Sequence, residues 1–234
     1  MSQSAPKLDG IFLDLYGTLT AGDRAAVHAA CQRIVDDHCL PIGEADLAVR
    51  WGEKFFALVD ESNHDGFRTL VECERISLVD TVAEYGAAID PTPYVEMLEA
   101  YWRAPPVHPE VTDFVAALKL PVCIVSNADE DAARIALARH GLNFAHVVTS
   151  EGARSYKPDG GIFRFALRRT GWRPDRVIHV GDSLHSDVKG ALSAGLRSGW
   201  VCREDRIHDI GEAAPDQTFR DLMELADWLN RNGD

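Results

Sequence analysis

The sequence predicts an α/β protein, a parallel sheet with helices on both faces, interrupted after its first strand by a helical insertion. Three observations carry that expectation. A short apolar run, Gly10–Leu13, ends in the carboxylate Asp14 and is followed by the turn residues Gly17 and Thr18. From about Asp23 to Tyr101, apolar residues recur at three- and four-residue spacing with almost no strand-like run. Beyond Pro105-Pro106, short β-rich runs alternate with helical stretches, which is the pattern of a parallel sheet with crossover helices.

In chain order, the first strand delivers Asp14 to the end of the sheet. The insertion then reads as helices over Ala25–Asp37, Ile42–Val59, Asp65–Tyr85 and Pro93–Trp102. Turn signals at Pro41, Asn63–Gly66, Gly86 and Asp90-Pro91 separate them. Pro121–Ser126 is the next strand, Asp131–His140 a short helix stopped by Gly141, and His146–Thr149 a third strand. Gly160–Thr170 is helical, Arg176–Val180 a strand, and Asp187–Ala194 a helix. Ser198–Cys202 is a further strand, and Phe219–Asn230 closes the chain as an amphipathic helix. No internal repeat or low-complexity tract interrupts this order.

Composition narrows the function classes. The chain has 234 residues, 46% hydrophobic and 26% charged, enough for a globular core of one large domain or a domain with an insertion. A net charge of −13 argues against nucleic-acid or anionic-membrane partners, since both need a basic footprint. An anionic small-molecule substrate would need local donors and a metal to overcome that field. No run of 18 apolar residues occurs, and Met1–Leu8 lacks the apolar stretch of a secretory leader. Cys31, Cys39, Cys73, Cys123 and Cys202 are odd in number and form no metal-binding spacing, so reduced thiols in a cytoplasmic protein are expected. Oligomeric state and physiological substrate are not legible in these residues.

Four polar clusters follow strands, at the crevice where open α/β sheets bind ligands. Asp14 there can bind a metal, act as a nucleophile, or both. Ser126 and Asn127 end the second strand, where a hydroxyl and a backbone N–H can donate to an oxyanion, or merely cap the next helix. Lys157-Pro158 lies in a loop before a helix, and a lone lysine there is ordinarily a solvated charge. Gly181-Asp182-Ser183 and Asp187 place two carboxylates five residues apart across a strand-to-helix turn. Both can approach one Mg²⁺, with helix capping as the plainer alternative.

Taken together, Asp14-Leu-Tyr-Gly-Thr18, Ser126-Asn127, Lys157-Pro-Asp and Gly181-Asp-Ser-Leu-His-Ser-Asp187 resemble, in order and spacing, the haloacid dehalogenase superfamily of aspartate-nucleophile hydrolases. The resemblance implies a Rossmann-like core from 1–22 and 104–234, with an inserted α-helical cap over 23–103. It implies that Asp14 is the nucleophile, forming an aspartyl ester or aspartyl phosphate that water resolves. Thr18 and Ser126, with Asn127 beside them, would hold transferring oxygens, and Lys157 would neutralise negative charge. Asp14, the backbone carbonyl of Tyr16, Asp182 and Asp187 would bind Mg²⁺.

Tyr16 departs from the phosphatases of that superfamily, which usually carry a second Asp two residues after the nucleophile to protonate the leaving oxygen. A phenol of pKa about 10 is a poor base near neutrality. Asp-x-Tyr-Gly-Thr instead resembles the 2-haloacid dehalogenase branch, where the departing halide needs no proton. Other positions point back. Dehalogenases of that branch need no metal and carry Ser and Asn where this chain has Asp182 and Asp187. Their cap arginine lies in a Trp-Arg-x-Lys-like segment, against Trp51-Gly52-Glu53-Lys54 here with Arg50 adjacent, and their Tyr six residues after the Lys is Phe163. The hybrid pattern places first a Mg²⁺-dependent phosphatase of a small phosphorylated metabolite. A 2-haloacid dehalogenase-type hydrolase, other C–X or C–N hydrolysis through Asp14, and a catalytically weak binding or regulatory protein stand as alternatives.

Substrate choice would fall to cap residues, with Arg24, Arg50, Trp51, Lys54, Arg68, Glu72 and Arg75 as candidates. Arg68, Glu72 and Arg75 also fit a solvated salt-bridged face, and Trp51, Phe55 and Phe56 fit packing between cap helices. His179, inside an apolar strand, reads as a satisfied core histidine, and the resemblance gives His185 no role.

Overall fold

The computed structural model describes residues 7–203 and 213–232. Apart from Lys7 and Leu8, the Met1–Leu8 stretch read for a leader lies outside the described residues. The elements in chain order are β1 (Gly10–Leu13), α1 (Asp23–His38), α2 (Glu44–Glu61), α3 (Leu70–Ala83), α4 (Thr92–Arg103) and α5 (Val111–Ala117). They continue with β2 (Val122–Ser126), α6 (Glu130–Arg139), β3 (His146–Thr149), α7 (Ser150–Ala153), α8 (Gly160–Thr170) and β4 (Val177–Gly181). Last come α9 (Gly190–Ser193), β5 (Arg197–Val201), β6 (Gln217–Phe219) and α10 (Leu222–Asn232).

The six strands form one parallel sheet in the order β3-β2-β1-β4-β5-β6, so the expected α/β class holds. β1 lies at its centre, with Phe12 opposite Cys123 of β2 and His179 of β4. Because β1 is covered on both faces, all four of its residues are buried, which is why the run reads as continuously apolar rather than alternating. On one face Phe12, Cys123, Val125 and Val177 pack with Ile162, Phe163 and Ala166 of α8 and Ala191 of α9. The apolar stripe of α10, Leu222, Leu225, Ala226 and Leu229, is buried at helical spacing and the helix packs on α5 and β6. Among the described residues no helix is long and apolar enough to cross a membrane.

The chain divides into two compact units. One holds the sheet, from residues 1–21, 107–127 and 143–234, and the other holds residues 22–106 and 128–142. Within the helical unit, Ala30, Ile34, Leu47, Trp51, Leu78, Val82, Tyr94 and Leu98 close a core between α1, α2, α3 and α4. The helix α6 belongs to this unit and packs on α4. The carboxylate of Asp129 accepts the N–H groups of Leu70 and Val71 at 2.8 and 3.1 Å, covering the exposed donors at the start of α3.

Three local expectations are corrected. The helix read from Asp65 begins at Leu70, after a 3₁₀ turn at His64–Gly66, because Thr69 and Glu72 form a capping box that fixes the start. Phe219 is not helical: it ends β6 opposite Val201, buried, and the helix starts only after Asp221, whose carboxylate accepts the Glu224 N–H at 2.8 Å. Asp187–Ala194 is not one α-helix but a π-helical turn, Leu184–Lys189, running into α9. The short helices α5 and α7 were not read from the sequence at all.

Candidate active site

The sheet unit alone assembles the site. Asp14 follows β1 directly, and its N–H donates to the Val180 carbonyl of β4 at 3.0 Å, so the residue is fixed before its side chain does anything. The chain then reverses through Gly17 at φ +89°, in the left-handed region where a side chain is strained. Three longer-range contacts hold this turn. Arg203 donates from Nη2 to the Thr18 carbonyl at 3.2 Å and pairs through Nη1 with Glu110 at 2.6 Å. A His108 ring nitrogen lies 3.4 Å from the Gly17 carbonyl.

Asp14 is 4% exposed. Its Oδ1 accepts two bonds, from the Ser126 hydroxyl at 2.8 Å and the Lys157 ammonium at 2.6 Å. Among the described residues its Oδ2 receives only a long contact from Thr18 Oγ1, at 3.4 Å; that hydroxyl donates better to Asp182 Oδ1, at 2.9 Å. Lys157, expected as a surface charge if read alone, is 3% exposed and bridges Asp14 to Asp187, 2.5 Å away. Asn127 is what places it. The Asn127 side-chain amide donates to the Lys157 carbonyl at 2.9 Å and its oxygen accepts the Lys157 N–H at 2.7 Å. Asn127 therefore grips the lysine's backbone, and helix capping is excluded as its task, because α6 starts after Asp129.

Asp187 sits on the π-helical turn, which starts at Ser183; the Ser183 hydroxyl accepts the Ser186 N–H at 2.9 Å and its own N–H donates to Asp187 Oδ2 at 3.0 Å. A Cβ at position 181 would collide with the Asp187 carboxylate, so Gly181 is what lets that carboxylate lie against the end of β4. The Asp182 carbonyl accepts the Trp200 indole N–H at 2.9 Å. Oxygens of Asp14, Asp182 and Asp187 lie within 4.8 Å of one another, all three residues buried. Tyr16, in the turn after Asp14, is half-buried, and His185 is half-buried within the π-helical turn.

Burial dominates the electrostatics. It drives the Asp14 carboxyl above its ordinary range; Lys157 opposes this and Asp187 adds to it. Burial also opposes the charged forms of Lys157 and Asp187, but their attraction wins. The lysine, facing Asp14 and Asp187, ends above its ordinary value, and Asp187, facing Lys157 and His179, ends well below. His179 is pulled down by burial against the pull of Asp187, and stays neutral near pH 7. One ammonium thus pairs with Asp14 and Asp187 in a cluster of three carboxylates. An all-oxygen donor set with surplus negative charge fits a hard divalent cation such as Mg²⁺, so the residues present suit the group.

The candidates for substrate choice belong to the helical unit. Trp51 is buried in the helical unit and donates to Ser77 at 2.9 Å, so it is packing. Glu72 is spent on the capping box, Arg75 donates to Thr92 at 3.0 Å, and Arg68 donates to Ser62 at 3.3 Å. Lys54 pairs with Glu84 at 2.7 Å and Arg50 with Glu53 at 3.5 Å, while Arg24 is exposed. Sequence reasoning missed Arg203, Glu110 and His108, which are far apart in the chain and match no short motif.

Side chains from four segments of the sheet unit gather at the buried Asp14, Asp182 and Asp187, and the comparisons give the chain's family. The model of the haloacid dehalogenase-like hydrolases matches residues 8–195, and the chain belongs to that family. An (S)-2-haloacid dehalogenase of Pseudomonas putida is 29% identical over 228 residues, covering 95% of this chain and 98% of that protein. A phosphoserine phosphatase of Thermus thermophilus is 36% identical over 138 residues, 56% of this chain and 55% of its own. Among solved structures, the L-2-haloacid dehalogenase of Xanthobacter autotrophicus superposes with a TM-score of 0.78 at 22% identity, covering 96% and 98% of the two chains, which is a likeness of fold.

Proposed function

We propose that this hydrolase cleaves small anionic compounds by attack of Asp14, and that its leaving group departs without a proton, as halide does from a 2-haloacid. The observation that carries the reading is the environment of Asp14. One oxygen is anchored by Lys157 and Ser126, and the residue two positions on is Tyr16, with no carboxylate to serve as leaving-group acid. The sequence alone ranked phosphoryl transfer first. The full-length likeness to a 2-haloacid dehalogenase, against a phosphatase likeness over about half the chain, supports the reverse order.

The two oxygens of Asp14 divide the work. Oδ2, lightly held, attacks the carbon bearing the halogen, forming a C–O bond as halide leaves with the bonding pair. Oδ1 then becomes the carbonyl oxygen of the ester. When water adds to that carbonyl carbon, the negative charge builds on Oδ1, where the Lys157 ammonium and the Ser126 hydroxyl already point. Collapse breaks the bond between that carbon and Oδ2; one proton of the water passes to the departing alkoxide, giving the 2-hydroxy acid, the other passes to solvent, and the Asp14 carboxylate is restored with one oxygen from water.

A second reading rests on the three-carboxylate cluster. Asp14, Asp182 and Asp187 would hold Mg²⁺, which would supply charge neutralisation for a phosphorylated substrate. The deciding assay presents L-2-chloropropionate and p-nitrophenyl phosphate separately, each in Mg²⁺ and in EDTA, following chloride and nitrophenolate. Chloride release that survives EDTA and vanishes in Asp14→Asn is the expected result. Mg²⁺-dependent nitrophenolate release without chloride establishes the second reading, and silence on both substrates refutes the first.

A further inference from the structure

His179 occupies the middle of β4, between Phe12 of β1 and Ser198 of β5, with no exposed surface. Its neighbours along the strand, Val177, Ile178 and Val180, are apolar and buried. The ring packs edge-on against Phe163, centroids 4.9 Å apart. Its Nε2 lies 2.7 Å from Asp187 Oδ1, whereas its Nδ1 is buried with no hydrogen-bond partner among the described residues. A carboxylate only accepts, so the 2.7 Å contact is an Nε2–H given to Asp187.

A buried ring nitrogen without a partner costs stability, and an apolar residue would avoid that cost at this position. What the histidine supplies in return is one directed donor. Asp187 Oδ1 takes the Nε2–H and the Lys157 ammonium, while Oδ2 takes the Ser183 N–H. With both oxygens held from the protein side, the carboxylate has one orientation, facing Asp14 and Asp182.

We infer that His179 is a positioning residue for the cation pocket, fixing the Asp187 carboxylate so that it completes the oxygen cluster with Asp14 and Asp182. The inference rests on the second reading, that these carboxylates hold a cation. Donors behind a metal-binding carboxylate set its direction, and their loss typically weakens metal affinity by about 10–100-fold.

The test is calorimetric titration of Mg²⁺ into the EDTA-stripped full chain, with folding checked by circular dichroism and thermal unfolding. His179→Phe fills the ring's space without a donor, and His179→Gln carries an amide N–H to the place of Nε2. His179→Asn keeps polarity but falls short of Asp187, and Asp182→Asn is the control for the pocket. The expected result is one Mg²⁺ bound by the parent, none by Asp182→Asn, affinity reduced about 10–100-fold in His179→Phe, and affinity close to the parent in His179→Gln. A folded His179→Phe that binds Mg²⁺ like the parent overturns the role of His179 and leaves the metal reading standing. A parent that binds no Mg²⁺ overturns both. Should the Phe variant fail to fold, His179→Asn against His179→Gln carries the decision, and equal affinities there overturn the proposal.

Discussion

Replacing Lys157 with Met tests whether charge, rather than packing, holds the site together. Met fills similar volume, so the side chain's apolar contacts survive while its ammonium disappears. That ammonium lies 2.6 Å from Asp14 and 2.5 Å from Asp187, with all three side chains no more than 6% exposed. Removing one partner of a buried pair leaves an uncompensated charge and costs about 3–5 kcal/mol. The sign with pH is what separates this from a packing defect. In the parent, Asp187 lies below its ordinary 3.8, so its contribution is present above that range and lost as pH falls. Lys157 lies above its ordinary 10.5, so its contribution is present at neutrality and lost only at strongly alkaline pH. In the variant, the carboxylates lose their cation and rise, so the folded state holds protons that the unfolded chain has released. Stability then falls as pH rises. The difference between the two proteins must therefore grow between pH 4.5 and pH 7.5, toward about 3–5 kcal/mol. Urea unfolding in EDTA at the two pH values, with m-values compared, measures it. A loss of the same size at both pH values would refute the role of charge and point to a packing defect introduced with Met.

Two further outcomes follow from other residues. Glu74, buried in the helical unit, accepts the Trp102 indole N–H at 2.9 Å and is pushed up to about 8 by burial. A pKa raised on folding contributes stability below the ordinary 4.5 that is lost as pH rises toward 8, with a slope of up to about 1.4 kcal/mol per pH unit. Thermal unfolding of the parent should therefore weaken from pH 5 to 8.5 more than that of Glu74→Gln, and parallel curves would sink the argument. Under the phosphatase reading, Tyr16→Asp restores a leaving-group acid. It should raise kcat/KM on an unactivated ester such as phenyl phosphate by about 10²-fold or more in Mg²⁺. An unchanged rate in a folded variant would mean that proton donation is not what this centre lacks.

The site was legible in the sequence wherever a side chain and its purpose share a strand end. Asp14, Ser126, Asp182 and Asp187 each follow an apolar run, and their common placement comes from a parallel sheet delivering every carboxyl end to one edge. Lys157 became legible only in combination, since nothing local says that a loop lysine will be buried between two carboxylates. Asn127 read as an oxyanion donor or a helix cap at the end of its strand, and its bond to the Lys157 backbone spans 30 residues and leaves no local trace. The fold failed to read through where tertiary contacts outvote local pattern: Phe219 is apolar at helical spacing, yet pairs as a strand because β5 offers a free edge. His179 is the sharper lesson. Its place in an apolar strand reads as that of a satisfied core histidine; it lies in the core, but its Nδ1 has no partner among the described residues. A polar group there is costly enough that its one donated proton has to matter, and that proton goes to the carboxylate which also holds Lys157. The two readings of the site then differ in what Asp187 is for. In dehalogenation it anchors the lysine that bears on Asp14, and in phosphoryl transfer it anchors the cation as well. Only in the second case does loosening Asp187 change the affinity for Mg²⁺.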